Sequence, residues 1–350
     1  MRRLALVLFL SLSTGALLFA TGQSEQKGTT PASGGKKYTM VMVVKLQGIA
    51  WFNNMGLGIE RFGKDHPDVN ISQTGGSTAD PAVQAQIVND QIAKGVDAVL
   101  AVPNDPNSLV PAFQRARADN IVVATQEASN LQVGNYDVEA FHNDAYGKHM
   151  MDMMAQALGS KGLWQPFVGH LTAPSHNEWV DGEKAEAAAK YPDLKQAQSR
   201  IEDLENQQTA YEKTLELLKA YPDLKAVMGS AMTTVPGAAQ AITEKGLIGK
   251  VAAFGTCLPS VAGTYIMSGA AKQIHFWVPA DAGYEVAMAA YDALKGIQVV
   301  DGMNLGRPGY ESVTVVKNKY GVPVVYGQAW VDVDKSNLDQ WKNPDGSWKL

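Results

Sequence analysis

The sequence predicts an α/β protein made of two lobes, each built on a doubly wound parallel sheet. Apolar, β-rich runs alternate with helix-like segments from Tyr38 onward, which is the pattern of parallel strands joined by crossover helices. Over the whole chain this alternation yields eight strands and a strand-like tail, close to the limit of about ten for one open sheet, which favours two lobes. A chain of 350 residues is long enough for two lobes with separate hydrophobic cores.

The predicted elements follow one another in a regular order. Tyr38–Val44 is an almost uninterrupted apolar run, as expected for a strand that is covered on both faces. The other predicted strands are residues 69–73, 96–102, 121–125, 167–171, 226–229, 251–254 and 273–277, with a strand-like tail at 313–329. The predicted helices are residues 82–93, 108–118, 144–158, 179–190, 211–220, 235–245 and 261–267.

The first 37 residues differ from the rest of the chain. Residues 1–20 are predicted to be a secretory signal peptide, because Arg2 and Arg3 precede an apolar stretch that ends in small residues at Ala20. Residues 21–37 are polar and have no hydrophobic periodicity, so we expect a flexible leader. No cysteine lies near the cleavage region, which excludes a lipid anchor there, and we expect the protein in a bacterial periplasm.

Composition and charge restrict the partners. Hydrophobic residues make up 45% of the chain and charged residues 19%, which is ordinary for a soluble globular protein. Loss of the two arginines with the signal peptide changes the formal charge from −5 to −7, so nucleic-acid binding is not expected. The single cysteine, Cys257, cannot form an intramolecular disulfide, so the cores alone must stabilise an exported protein.

The first strand leads into a candidate ligand site. Lys45, Trp51 and Phe52 lie beyond its carboxyl end, which is where parallel α/β sheets hold ligands. The two aromatic rings can stack on the C–H face of a sugar-like ring, and the lysine can donate hydrogen bonds to its hydroxyls. The alternative is that Trp51 packs on the following helix and Lys45 is solvated.

Six segments in order carry a resemblance to a known family: VVKLQGIAWFNNM, GVDAVLAVPNDP, IVVATQEAS, HNEWVDG, VPGAAQAITEKG and GYESVTVV. From Tyr38 to its end, the chain resembles the type I periplasmic sugar-binding proteins of ABC importers. It is most similar to the branch of autoinducer-2-binding, rhamnose-binding and ribose-binding proteins. The resemblance implies two doubly wound lobes, joined by a three-segment hinge, with the ligand enclosed between them.

The same resemblance implies where the chain crosses between the lobes. The crossings are expected near residues 141–143, 277–279 and 307–310. The third contains Pro308 and Gly309, which suit an abrupt change of direction. The N-terminal lobe would then consist of residues 38–141 plus 279–307, and the C-terminal lobe of residues 142–278 plus 308–345. Ordinary surface turns at these positions are the alternative.

Several ligand-site residues are implied by matching positions. Lys45 matches a ligand-contacting lysine of the autoinducer-2-binding proteins, and Trp51 and Phe52 resemble the aromatic pair of the ribose-binding proteins. Glu127 stands where both groups place an aspartate that accepts from two ligand hydroxyls, although it could also be a solvated loop acid. Asn177 matches a ligand-binding arginine of the ribose-binding proteins.

The predicted second lobe departs from both patterns. Ser175 and His176 stand where the autoinducer-2-binding proteins have an acid and an amide, and His176 could instead begin a helix. Ser230 and Met232 replace a proline and an alanine of that pattern, and Ala231 replaces an asparagine of the ribose-binding proteins. The ligand therefore stays open among sugars, sugar alcohols and autoinducer-2. The remaining candidates, at predicted cleft edges, are Asn143, Thr256 and Trp277, the last of which could also be a core residue.

We expect a binding protein without catalytic residues that delivers a small sugar or polyol to a membrane permease. A chemoreceptor is a further candidate partner, and a monomer is expected. The alternatives are an autoinducer-2-type signal-binding protein and a secreted carbohydrate-active enzyme, in which Glu127 and Asp281 would be the paired carboxylates. No cofactor motif occurs. His142 and His149 lack an accompanying ligand cluster in sequence, so no metal site is expected either.

Overall fold

A computed structural model describes residues 36–350. The predicted signal peptide, residues 1–20, and nearly all of the predicted leader lie outside the described residues. The first part of the described chain alternates strands and helices: β1 (Tyr38–Val44), α1 (Ala50–Asp65), β2 (Val69–Gly75), α2 (Pro81–Ala93), β3 (Ala98–Ala101), α3 (Pro106–Ala118), β4 (Val122–Gln126) and β5 (Tyr136–Glu139).

The same rhythm continues through the middle of the chain and returns near the end. The middle elements are α4 (Asn143–Leu158), β6 (Gly162–Val168), α5 (Pro174–Lys190), β7 (Leu194–Gln196), β8 (Ile201–Glu202), α6 (Gln207–Ala220), β9 (Leu224–Gly229), α7 (Thr234–Glu244), β10 (Ala252–Thr256), α8 (Pro259–Ser268) and β11 (Ala271–Phe276). The last elements are α9 (Pro279–Leu294), β12 (Thr314–Lys317), β13 (Pro323–Tyr326), β14 (Val331–Asp334) and a 3₁₀ turn, Leu338–Trp341.

Within the described residues, the strands form two seven-stranded sheets. The order is β12-β13-β5-β4-β3-β1-β2 in the first sheet and β14-β11-β10-β9-β6-β7 in the second, where β8 pairs with β6. Both sheets are parallel apart from one antiparallel edge strand each, β12 and β14. The predicted fold class, two doubly wound parallel-sheet lobes, is confirmed. Among residues 36–350, no helix combines the length and apolar composition that crossing a membrane requires.

The chain passes between the two lobes three times. The first passage lies between β5 and α4 and the second between β11 and α9, and both coincide with the positions expected from the sequence. The third lies at residues 327–330, between β13 of the first sheet and β14 of the second. The expected crossing at residues 307–310 is therefore wrong. The assignment of residues 308–345 to the C-terminal lobe is wrong for β12 and β13, which extend the first sheet.

The misplaced crossing has a physical explanation. Pro308 and Gly309 do form a turn, with Gly309 at a φ of 85°. This turn packs against the true crossing, because the Gln328 N–H donates to the Gly309 carbonyl at 2.7 Å. Turn residues report a change of direction but cannot show which sheet the next strand joins, since that depends on long-range pairing such as Val324 with Asp137.

Helix α9 fixes the position of α1, which carries two of the candidate site residues. Gly58 of α1 lies directly against α9, where an added Cβ would come within 1.8 Å of the Ala280 carbonyl oxygen. Only glycine permits this approach. The Ala280 N–H also donates to Asn54 Oδ1 at 3.0 Å, so the start of α1 is tied to the second crossing.

Candidate functional site

The candidate site is a cavity whose lining includes Trp277 of the second crossing. Charged and polar side chains line one part of it, and aromatic rings line the other. Both lobes and the second crossing contribute. The lining residues are Lys45, Ile49, Trp51, Phe52, Glu127, His176, Trp179, Glu205, Ser230, Ala231, Met232, Thr256 and Trp277.

Lys45, at the carboxyl end of β1, is the centre of the charged part. It is 3% exposed, and its ammonium group donates to Glu127 Oε2 at 2.7 Å and to Glu205 Oε1 at 3.2 Å. Burial lowers the pKa of Lys45, but the two carboxylates outweigh burial and hold this pKa above its ordinary value. Lys45 therefore stays protonated, and one of the two carboxylate charges remains uncompensated.

The two carboxylates come from different lobes. Glu127 follows β4 of the first sheet, and Glu205 follows β8 of the second. Lys45 belongs to the first lobe, so its ion pair with Glu205 spans the cleft. Both glutamates have left-handed backbones, with φ of 61° at Glu127 and 53° at Glu205. Such a conformation costs a residue with a side chain about 1–3 kcal/mol and tends to occur at ligand sites.

His176, in the first turn of α5, presents one N–H to the cavity. The Gly169 N–H donates to Nδ1 of this ring at 3.2 Å, so Nδ1 carries the lone pair. In the neutral ring the proton is then on Nε2, which lies 3.5 Å from Lys45 Nζ and 3.7 Å from Glu127 Oε2. Burial, followed by the charge of Lys45, lowers the pKa of His176 well below its ordinary value, so the ring is neutral.

Gly169, directly after β6, makes room for this arrangement. An added Cβ at Gly169 would lie 2.5 Å from Glu205 Oε1 and 3.1 Å from His176 Cε1. A side chain at this position would therefore displace either the carboxylate or the imidazole. Glycine here is a requirement of the site and not of the backbone, since Gly169 is not among the residues with positive φ.

The aromatic part of the wall is built from tryptophans that brace one another. Trp277, in the second crossing, meets Trp51 edge-on at 4.6 Å between ring centroids and Trp179 at 5.7 Å. Phe52 lines the same cavity. The Nε1–H of Trp277 is buried and has no hydrogen-bond partner among the described residues. A ligand hydroxyl could accept from it, which would remove the cost of an unpaired buried donor.

Three further predicted residues complete the wall. Ser230 donates from Oγ to the His176 carbonyl at 3.3 Å, and Thr256 Oγ1 lies 3.2 Å from the hydroxyl of Tyr146. Met232 is an apolar member of the lining and is 8% exposed. Nine of the eleven predicted site residues therefore line one cavity: Lys45, Trp51, Phe52, Glu127, His176, Ser230, Met232, Thr256 and Trp277.

The other two predicted residues do not line the cavity. The Asn177 amide donates to the carbonyls of His170, Leu171 and Ala173, so it fastens the loop before α5 to the first turn of this helix. Placing Asn177 in the ligand site was wrong because the helix turns its side chain toward its own N-terminus. Asn143 is buried behind the wall, where its Oδ1 accepts from Trp179 Nε1 at 2.6 Å. It positions a lining ring without touching the cavity.

Sequence reasoning missed Glu205 and Trp179. The signal that identified Glu127, an acid just after a strand, also applies to Glu205, but its strand, β8, is only two residues long and was not predicted. Trp179 was assigned to a helix without a functional role. Asp281, the partner imagined for Glu127 in a glycosidase, instead pairs with Arg307 at 2.7 Å and Arg61 at 3.2 Å and does not line the cavity.

Comparison with known proteins identifies the family. A family model for the periplasmic binding protein domain matches residues 40–298. The chain belongs to this family. One solved structure similar to this periplasmic binding protein is an ABC transporter solute-binding protein from Clostridium phytofermentas with bound L-rhamnose. It has a TM-score of 0.79 and 22% identity, and the match covers 87% of this chain and 98% of that chain.

Two further relatives extend the comparison. LsrB from Clostridium saccharobutylicum, in complex with AI-2, has a TM-score of 0.79 and 19% identity, with 87% of this periplasmic binding protein and 100% of that chain covered. At such identities the likeness shows the fold alone. The xylitol-binding protein of Mycolicibacterium smegmatis (strain ATCC 700084 / mc(2)155) is 33% identical over 123 residues, which is 33% of each chain. That match spans about a third of the relative's length. The family is one of binding proteins and not of enzymes, as the sequence led us to expect.

Proposed function

We propose that the protein is the exported solute-binding component of an ABC importer. It encloses one small, uncharged sugar or polyol between its lobes and delivers it to a membrane permease. The observation that carries this proposal is the cavity between the lobes, which joins hydrogen-bonding groups from both lobes to an aromatic wall.

The polar groups of the cavity suit hydroxyls. Each hydroxyl can donate and accept, and the site offers both partners: carboxylate acceptors at Glu127 and Glu205, and N–H donors at Lys45, His176 and Trp277. Lys45 is central to binding, because its two carboxylate partners come from different lobes. Ligand hydroxyls would replace these carboxylate contacts. The aromatic rings would cover the C–H faces of the ligand.

The charge balance favours an uncharged ligand. One ammonium group faces two carboxylates, and His176 is neutral, so the cavity carries excess negative charge. An anionic sugar acid would meet repulsion in a buried site, where the effective dielectric constant is low. The ligands of the similar proteins, xylitol and L-rhamnose, are uncharged polyhydroxyl compounds, which agrees with this preference.

The proposal is tested by isothermal titration calorimetry of the mature chain with xylitol, L-rhamnose, D-arabinose and a C5 sugar acid. We expect one of the uncharged compounds to bind at one site per chain and the sugar acid not to bind. Glu127→Gln should weaken binding by about 1.5–3 kcal/mol, the worth of a hydrogen bond to a charged group. Glu60→Gln, on the exposed face of α1, should leave binding unchanged.

Two results would contradict the proposal. Tight binding of the sugar acid alone would overturn the argument from charge. Binding that is unaffected by Glu127→Gln would place the ligand elsewhere.

We also propose that the protein acts as a monomer and that a chemoreceptor recognises the same ligand-bound form. The first proposal is checked by light scattering, and the second by pull-down of receptor periplasmic domains with and without ligand.

A further inference from the structure

A second cluster of chemically active side chains lies away from the ligand cavity. His149, His275 and Asp332 each present one donor atom, and these three atoms all lie within 4.8 Å of one another. None of the three lines the ligand cavity. No spacing in the sequence indicates this cluster, because more than a hundred residues separate His149 from His275 and only the folded chain brings them together.

The cluster is compact and already ordered. His149 Nε2 lies 2.8 Å from Asp332 Oδ2, and His275 Nδ1 lies 2.6 Å from Asp332 Oδ1. The antiparallel pairing of β11 with β14 places His275 directly opposite Asp332. Trp330 stacks on the His149 ring with 5.3 Å between centroids and 17° between planes, which fixes the direction of the imidazole.

We propose that His149, His275 and Asp332 bind a divalent transition-metal ion of the zinc type. Two imidazole nitrogens and one carboxylate oxygen are ligands that Zn²⁺, Co²⁺ and Ni²⁺ accept. Calcium and magnesium prefer oxygen ligands only, and the cluster contains no cysteine or methionine sulfur for a soft ion. Three protein ligands would leave at least one position for water.

Only small movements separate this arrangement from a metal site. Metal–ligand bonds of about 2.1 Å in a tetrahedron put neighbouring donor atoms about 3.4 Å apart. The distances of 2.8 Å and 2.6 Å to Asp332 would therefore have to lengthen by several tenths of an ångström. The side chains of His149 and Asp332 are 25% and 29% exposed, so an ion can enter from solvent and keep a water ligand on that side.

Metal binding also changes where each imidazole carries its proton. The nitrogens that now donate to Asp332 must present lone pairs to the ion, so each ring must hold its proton on the other nitrogen. For His275 that other nitrogen is Nε2, which is buried and has no hydrogen-bond partner among the described residues. No donor at Nε2 blocks the proton, but the N–H there would be buried without an acceptor, a cost that the metal bonds must exceed.

The position of the cluster gives the ion a structural role. Its ligands come from α4, β11 and β14, and each of these elements borders one of the three crossings on the side of the second lobe. A bound ion would therefore hold together the second-lobe ends of all three connections. It would stabilise the fold by mass action without touching the sugar site.

The test is titration of the full mature chain, made without a polyhistidine tag and stripped of metal, with Co²⁺. We expect one Co²⁺ per chain with visible d–d absorption, displacement by Zn²⁺, and a rise in melting temperature with Zn²⁺. His149→Ala and Asp332→Asn should each weaken binding by at least about 100-fold, since even outer-shell changes cost about 10- to 100-fold. His142→Ala removes an exposed imidazole near the start of the same helix and should leave binding unchanged.

Two outcomes would overturn the proposal. One is the absence of Co²⁺ binding to the unmodified chain, in which case the cluster is a hydrogen-bonded histidine–aspartate group only. The other is binding that persists in both cluster variants, which would place the ion elsewhere. Circular dichroism of the metal-free variants separates loss of the site from loss of the fold. Titration of the sugar ligand with the same variants shows whether the two sites are independent.

Discussion

At the scale of single residues, Lys45 shows how the site compensates a buried charge. A buried ammonium group needs compensation, and Lys45 receives it from one carboxylate of its own lobe and one of the other. Both glutamates have left-handed backbone conformations, so local backbone strain accompanies the direction of their side chains toward Lys45. A ligand entering the cavity must replace these contacts with its own hydroxyls, which makes binding sensitive to how many hydroxyls it offers.

Gly169→Ala tests how closely these groups are fitted. The new methyl group would meet Glu205 Oε1 and His176 Cε1, so we expect ligand affinity to fall by roughly tenfold to 100-fold, in line with about 1–3 kcal/mol of overpacking. Calorimetry with the identified sugar measures the change. Gly56→Ala is the matched control, because its Cβ would approach nothing closer than 3.4 Å. Equal affinities in the two variants would show that Gly169 does not constrain the site.

Sequence analysis identified the site residues that directly follow a predicted strand, and it missed one whose strand was not predicted. Lys45 follows a strand of seven residues and Glu127 a buried strand of five, and the fold brings the two side chains together as expected. Glu205 was missed because pairing with β6, and not its own short sequence, defines its strand. Trp51 was treated as either a ligand contact or a core residue. It is 5% exposed, packs on Trp277 and lines the cavity, so it is both.

At the scale of elements, β5 carries buried acids close to the first crossing. Asp137 Oδ1 accepts from the Thr125 hydroxyl at 2.7 Å and from the Ala128 N–H at 3.1 Å, and Glu139 accepts from Ser175 of the other lobe at 2.9 Å. Burial raises the pKa of Asp137 to about 7, and burial with the neighbouring Asp137 raises the pKa of Glu139 well above its ordinary value. The strand therefore keeps protons that exposed acids would lose.

These acids should make stability depend on pH. Unfolded Asp137 loses its proton near pH 3.8 and folded Asp137 near 7, so the folded state binds more protons between these values. Its contribution to the free energy of unfolding must then fall as pH rises through this window, by up to about 1.4 kcal/mol per pH unit. Asp137→Asn should remove this loss, as measured by urea unfolding at several pH values. An unchanged slope would contradict the assignment, and Asp119→Asn, at an exposed position, is the control.

Elements with a clear period were predictable, and elements defined by pairing were not. Most of the predicted strands and helices occur within a few residues of their expected bounds. The sequence analysis missed β5, β7, β8 and β14, which are two to four residues long, and it also missed α9. Helix α9 did carry a signal, since Asp281, Glu285 and Asp292 recur on one face at helical spacing, although the segment is nearly all buried.

At the scale of the whole molecule, the ion pair between Lys45 and Glu205 joins the lobes. A ligand that replaces this ion pair must itself contact both lobes, because a ligand shifts an open–closed equilibrium only through such differential contacts. The closed form would be the one that the permease recognises. The two sheets were predictable because strands and helices alternate regularly along the chain. The route of the third crossing was not predictable, because it depends on contacts between distant segments.

Small-angle scattering tests this closure. We expect the identified sugar to reduce the radius of gyration of the unmodified protein. Glu205→Gln weakens the contact across the cleft, so its ligand-free form should be more open and have the larger radius. Glu212→Gln, an exposed change on α6, should behave like the unmodified protein. A radius that stays constant while calorimetry shows saturation would contradict closure but not binding.

The triple passage of the chain has a consequence for the order in which the protein can be made. Strand β13 covers the edge of β5 in the first sheet, and β14 covers the edge of β11 in the second. Neither sheet can therefore be completed before residues 323–334 are synthesised, however early the other strands are made. A nascent chain halted before this point leaves the edges of β5 and β11 open, and such unpaired edges are templates for aggregation. Completion of both lobes is therefore tied to a single segment near the end of the described chain.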